Sequence, residues 1–357
     1  MNQNEFFELI DSNKWKTIQE YFAQVIGASV RVIDISGMPL TVLSQPSNYC
    51  FETIFSSSKA FSVCNGCLIL SPQPCSCDKL LTEKEHFIDH LDNIHYDVCP
   101  YYMNRVIIPI KSLNNVIKAY ILIGPIILGK RRTYPEYFNL SQNLGLEINA
   151  LIEAVEHVKV YSFASIKPIV QLFQEIANFM FQNGMDKVTQ TSNPNRLNFD
   201  TQKTPEVPFY ISKMLQALFE TAGQGIDAER GSLMLFDSKF ENLKIKLSKG
   251  IPEQIAQEAI VKKGEGLAGW AAVEGKVIFI DQNFKQSRLL SRLHQPQLSA
   301  ALTVPLKSNN KVFGVLNLST QVKKHKFNQE NINSIMQLTK MVDSALVNID
   351  LDTLAIQ

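Results

Sequence analysis

Apolar residues recur three and four apart at the start of the chain (Phe6, Leu9, Ile10, Trp15, Ile18, Phe22, Val25), which predicts helix over residues 5–26. The period then changes. "ASVRVIDISGMPLTVLS" (28–44) contains two short β-rich runs joined by the turn "SGMP" and reads as a hairpin. "DKLLTEKEHFIDHLDNI" (78–94) has helical spacing. "HYDVCPYYMNRVIIPIKSLNNVIKAYILIGPIIL" (95–128) reads as three strands with "LNN" as a turn. Residues 146–183 return to a helical period, with a new helix expected to begin between Ser165 and Pro168, because proline inside a helix removes a hydrogen bond. Residues 184–206 are polar and without period, and are expected to be a linker.

Beyond the linker the pattern predicts, in order, a helix (209–223), strands "GSLMLFD" and "NLKIKLSKG", a helix "PEQIAQEAIV", a glycine-rich stretch "KKGEGLAGWAAVEG" and strand "KVIFID". Strands "AALTVPLKS" and "KVFGVLNLST" follow, joined by an "NN" turn, and then a long helix from about Asn328. The fold class expected from this order is α+β: two domains, 1–183 and 207–357, each a central antiparallel sheet flanked by helices. A length of 357 residues agrees with two cores.

Composition changes this picture in three places. Net charge is +1 and the densest basic run is "KRR" at 130–132, so no surface for nucleic acid is expected. The most apolar run, 116–128, is too short for ~30 Å of hydrocarbon and is interrupted by Gly124 and Pro125, so no membrane partner is expected. The amino-terminal segment has no secretory pattern, which points to the cytoplasm and to reduced thiols.

Against that background the cysteines stand out. All six (Cys50, Cys64, Cys67, Cys75, Cys77 and Cys99) fall in one window. Cys64 and Cys67 have the spacing of two ligands facing one ion, and Cys75 with Cys77, or Cys50 with Cys99, could complete a tetrahedral zinc site or hold an iron–sulfur centre. Packing of small apolar thiols and redox pairing are the alternatives. His86 and His90 share a helix face at i, i+4, with His95 nearby, but Phe87 stands where the glutamate base of a metalloprotease would be. Asn48, Tyr49, Tyr101, Tyr102, Asn104 and Arg105 offer an apolar wall with convergent polar groups and are the candidates for a ligand pocket, and Trp270 could wall a second. The sequence contains no nucleophile elbow, P-loop or dinucleotide fingerprint, so binding is favoured over catalysis.

"GEGLAGWAAVEGKVIFIDQ" and "SAALTVPLKSNNKVFGVLNLST" make residues 207–350 resemble a GAF domain. The resemblance implies a fold that binds a small molecule between sheet and helices or serves only for dimerisation. The Asn-Lys-Phe-Asp type signature of cyclic-nucleotide binders is not found, and this half has no cysteine for a bilin or haem. "PSNYCFETI", the cysteines before "CDKL" and "CPYYMNRVIIPIKSLNNVIKAYILIGPIIL" make residues 5–180 resemble the PocR sensory domain. That family is PAS-like, is associated with small organic compounds such as diols, and often carries several cysteines. The two resemblances together imply a sensor that binds a small molecule or metal in its PocR-like half and transmits the signal through a dimeric GAF domain, with a separate kinase or transcription regulator as a candidate receiver; the alternative is a metal- or redox-responsive protein built on the cysteine cluster. Ile335, Leu338, Val342, Ala345 and Ile349, with Ile211, Leu215, Leu218 and Ala222, have the 3,4 spacing of a seam, expected to make a homodimer through a four-helix bundle or else to cover the chain's own sheet.

Overall fold

The computed structural model describes residues 2–59, 94–111, 116–192, 207–281, 299–321 and 327–355. It divides into two compact units, Met1–Thr204 and Pro205–Gln357.

In the first unit, α1 (Gln3–Leu9) and α2 (Ser12–Ile26) lead into β1 (Ser29–Asp34). A π-helix (Tyr49–Thr53) and a 3-10 turn (Ile54–Ser56) come next, and then β2 (His95–Val98), β3 (Asn104–Lys111) and β4 (Ile117–Leu128). After them come α3 (Tyr134–Leu144), α4 (Ile148–Glu156), β5 (Val160–Tyr161) and α5 (Phe163–Ser192). The sheet runs β1-β4-β3-β2, all antiparallel, with β5 added parallel to β4. The expected antiparallel sheet therefore carries one short parallel edge.

The first hairpin is only half formed. Residues after the turn make isolated bridges, Val30 to Ser44 and Ile33 to Pro39, instead of a strand. Backbone bonds hold part of this segment, Val30 with Ser44 in both directions and Leu40 N to the Val32 carbonyl, and a buried amide adds to them. Gln19 Nε2 donates to the carbonyls of Val30 (3.1 Å) and Val42 (2.8 Å), while its Oε1 accepts from Trp15 Nε1 (3.0 Å) and Thr41 Oγ1 (2.9 Å). A side chain on α2 thus ties both halves of the irregular hairpin, at Val30 and at Val42, to the helix.

Residues of one parity (Ile33, Ile107, Tyr120, Leu122) join the π-helix, α3 and α4 in one apolar cluster. Their alternates (Val106, Ile108, Ile121, Ile123) point to the other face and are equally buried. α2 packs on β1 and α5 on β3. Phe22 and Phe173 stack at 3.8 Å, and Trp15 adds a second stacked contact to Phe173 at 5.8 Å. The new helix begins at Phe163, a little before the expected point, after β5 has already interrupted the helical run. Pro168 lies inside its second turn, and α5 continues to Ser192, into the stretch expected to be linker.

The second unit contains α6 (Val207–Gly225), β6 (Arg230–Phe236), β7 (Asn242–Lys249), α7 (Glu253–Glu258), β8 (Ile260–Lys262), α8 (Gly266–Glu274) and β9 (Ile278–Ile280). β10 (Ala300–Ser308), β11 (Lys311–Thr320), α9 (Gln329–Ala345) and α10 (Leu351–Leu354) complete it. Six strands run β8-β7-β6-β11-β10-β9, each pair antiparallel. The helix expected over 252–261 stops at Glu258. The β-branched Ile260 and Val261 leave it to pair with β7. Asn328 caps α9 at the expected place, accepting from Asn331 N at 2.7 Å. Gly269 and Gly314 are required by close approach: a Cβ would lie 2.3 Å from the Lys262 carbonyl at the first and 2.6 Å from the Met234 carbonyl at the second.

The seam residues are used inside this unit. Ile211, Leu215, Leu218, Ala222, Ile335, Leu338, Val342 and Ala345 are all buried in the single chain, where α6 and α9 pack on each other and on the sheet. Ile349 lies beyond the end of α9. Within the single chain these residues cover the sheet and one another.

Candidate functional site

The π-helix Tyr49–Thr53 has two sides. Inward, the Tyr49 ring is 1 % exposed, and its hydroxyl donates to the Tyr101 carbonyl at 2.6 Å, joining the π-helix to the turn between β2 and β3. Burial pushes this phenol well above its ordinary range, and Cys99, Cys50, Tyr137 and Tyr101 add to the shift in that order. It is a neutral donor at any physiological pH.

Outward, Asn48, Glu52, Thr53 and Ser56 face α4, and between them lies an open cleft of about 360 Å³. Leu146, Glu147, Ala150, Glu153, Ala154 and His157 form its other wall. Glu147 caps α4: its carboxylate accepts from the backbone N–H groups of Asn149 (3.0 Å) and Ala150 (2.6 Å), which hold its pKa below the usual range. His157 Nδ1 lies 2.8 Å from the Glu153 carbonyl, so the ring is held at the end of the same helix. The cleft offers hydroxyl, amide, imidazole and carboxylate groups beside the apolar Leu146, Ala150 and Ala154.

The residues singled out in the sequence divide. Asn48 lines the cleft. Tyr49, Tyr101 and Tyr102 belong to, or pack against, the cluster behind it. Tyr102 has φ +66°, its ring meets Tyr137 edge-on at 6.3 Å, and the Arg132 guanidinium lies 5.5 Å from its centroid. Asn104 is structural: its side-chain oxygen accepts from Leu128 N at 2.8 Å. Arg105 is 3 % exposed and ion-paired with Asp97, the residue directly opposite on β2. A charge so enclosed needs that partner, and the pair locks the β2–β3 register. Trp270 is half-buried against the cluster of Met234, Phe236 and Val315, a core position.

Cys50 and Cys99 come from distant parts of the chain, yet both are half-buried, pack against the same cluster and flank Tyr49; neither is in a disulfide. Cys64, Cys67, Cys75, Cys77, His86 and His90 lie outside the described residues. His95 is on β2, opposite Ile107. Among the described residues no three His, Cys, Asp or Glu side chains gather as metal ligands, so Cys50 and Cys99 do not by themselves form a zinc or iron–sulfur site. No helix among them is long and apolar enough to cross a membrane.

Sequence reading missed nine of the ten cleft residues. The α4 segment "EINALIEAVEH" does carry carboxylates at 147 and 153 and a histidine at 157, but nothing local pairs that face with residues 48–56.

A family model described as a sensory domain found in PocR matches residues 8–185, and one for the GAF domain matches residues 211–347. No curated protein matches the chain. Among solved structures it is similar to the GAF domain of an Acinetobacter phosphoenolpyruvate-protein phosphotransferase, at 17% identity over 46% of this chain and 97% of that one (TM-score 0.31). It is also similar to a Staphylococcus aureus NreA protein mutated in its nitrate binding site, at 21% identity over 33% and 91% of the two chains (TM-score 0.28). A third is the free methionine-R-sulfoxide reductase of Neisseria meningitidis in complex with its substrate, at 16% identity over 42% and 92% (TM-score 0.31).

Proposed function

We propose, from the premise that this chain joins a PocR sensory domain to a GAF domain, that the cleft beside Asn48 is where it senses a small polar organic molecule. The observation that supports this reading most is the double-sided π-helix: Asn48, Glu52 and Thr53 form the cleft wall, while Tyr49 on the same segment is bonded to the β2–β3 turn. A molecule that draws the outer side toward α4 loads the inner side and its tie to the sheet. Binding then shifts the population of two arrangements by no more than its difference in affinity for them.

The lining narrows the ligand class. Glu52, Glu147 and Glu153 make the cleft unfavourable for anions, and among the described residues no lysine or arginine lines it. Asn48, Thr53, Ser56 and the carboxylates suit hydroxyl or ammonium groups on a short carbon chain, such as a diol or an amino alcohol. Output then leaves through association, either with a second copy or with a separate kinase or transcription regulator. A homodimer would have to use a surface other than the buried α6–α9 seam.

The test is a thermal-shift screen of the intact protein with propane-1,2-diol, ethanolamine and propionate. The diol or the amine should raise the melting temperature, propionate should not, and Asn48→Ala with Glu153→Gln should abolish the rise. A rise of the same size in that double variant would place the ligand elsewhere.

A further inference from the structure

The last turn of α9 is fastened to the end of the β10–β11 hairpin by two side chains. Asp343 Oδ1 accepts from the backbone N–H of Lys307 at 2.8 Å. Ser308 Oγ, next along the strand, donates to the Leu346 carbonyl at 2.8 Å and lies 3.3 Å from that of Ile349. The fastening sits on an irregularity. Leu306 pairs with Gly314 but Lys307 with Val312, so Phe313 is the extra residue of a bulge. The carboxyl of Asp343 therefore serves an N–H at the place where the ladder changes register.

Three structural facts disfavour a negative charge there. Asp343 is two residues from the end of α9 at Ala345, where the helix presents its carbonyls and the negative end of its dipole. It is partly buried, between Val342 and the buried Leu346. Cationic help is weak: Lys307 is the only charged residue of β10, and its amine reaches toward Gly275, where a Cβ would be 3.6 Å from Nζ. On α6, the other element packed against α9, the charged residues are Lys213 and Glu220, both exposed; Glu330 and Lys340 on α9 itself, and Asp350 and Asp352 beyond it, are exposed too.

We propose that Asp343 is a protonation-controlled latch: neutral, it lets the last turn of α9 stay packed on the bulged hairpin; ionised, the cost of a charge at that partly buried helix end outweighs the stronger bond from Lys307 N–H and loosens the turn. Burial raises its pKa from 3.8 to about 7, against a smaller opposing effect of the Lys307 N–H and charge. The folded state thus binds the proton more tightly than the unfolded chain does. Stability from this group is fullest below about pH 4, falls as pH rises toward about 7, and is level above that. The GAF unit would in this way report proton concentration near neutrality, independently of any ligand in the first unit.

The experiment uses the full chain. Aspartate side-chain carboxyl resonances, assigned by comparison with Asp343→Asn, are followed against pH, and amide exchange of residues 339–349 is measured alongside. The expected result is a carboxyl midpoint near 7, with exchange protection, corrected for intrinsic rates, falling up to about tenfold per pH unit between about pH 5 and 7. Asp343→Asn keeps the acceptor for Lys307 N and should show flat protection. A wild-type midpoint below 5, or the same pH dependence of protection in wild type and Asp343→Asn, overturns the proposal. The midpoint is read on wild-type protein and stands even if the variant fails to fold.

Discussion

The two sheets are closed by different means. In the GAF unit the ladder is the longer one: six strands pair antiparallel, two of the pairs are hairpins, and a turn with φ above zero at Asn309 and Asn310 fits the twist of the strands. In the sensory unit the backbone ladder is shorter, and side-chain ties add to it. Gln19 reaches Val42, Tyr49 reaches Tyr101, and Asp97 faces Arg105. Removal of one such side chain is felt on two elements there, and one of these side chains, Tyr49, belongs to the π-helix whose outer residues line the cleft.

The sharpest way to break this comparison is to cut the apolar seam of the GAF unit. Leu218→Ala, at a side chain with no exposure, should cost about 2–5 kcal/mol in urea unfolding. It should leave the mass measured by light scattering unchanged. A drop in mass with stability preserved would mean that the seam joins two chains instead of closing one.

In the sensory unit, Asp97→Ala removes the carboxylate facing a guanidinium that is 3 % exposed. A loss of about 2 kcal/mol is expected, less than for a fully buried pair because Asp97 is 33% exposed. Unfolding of the GAF unit, followed by Trp270 fluorescence in a Trp15→Phe background, should not move. Tyr49→Phe should cost about 1 kcal/mol by leaving the Tyr101 carbonyl without its donor. If its effect were nil, the tie between π-helix and sheet would carry no energy and could not relay binding. At the small end, Asn310→Gly in the GAF hairpin should change stability by only a few tenths of a kcal/mol, since either residue accepts φ +63° there.

The same contrast explains what the sequence disclosed. The GAF half was readable almost strand by strand, because its order follows hydrophobic period and turn chemistry, both local. Its one slip, a helix drawn through Ile260 and Val261, arose where helical spacing competed with β-branched residues. In the sensory half the apolar strands were equally readable, and the run at 116–128 is indeed the buried β4. The hairpin after β1 was overdrawn, since its return makes only isolated bridges and no period shows that a glutamine on α2 binds into it. The candidate site was legible as a neighbourhood: the 48–50 and 99–105 segments do meet. The roles were not legible. Tyr49 and Arg105, which look like ligand groups, are tied to a carbonyl and a carboxylate, while the cleft wall comes from α4, about a hundred residues further along. The seam was correct as a pattern, but its apolar residues are satisfied within one chain.

The most direct test of the sensing account is hydrogen exchange on the intact protein with and without saturating propane-1,2-diol or ethanolamine, whichever produces the thermal shift. The account predicts slowed exchange at residues 48–56 and 146–157, with a smaller change at the 99–103 turn that Tyr49 contacts. Protection confined to residues 207–355, with the cleft segments unchanged, would contradict it.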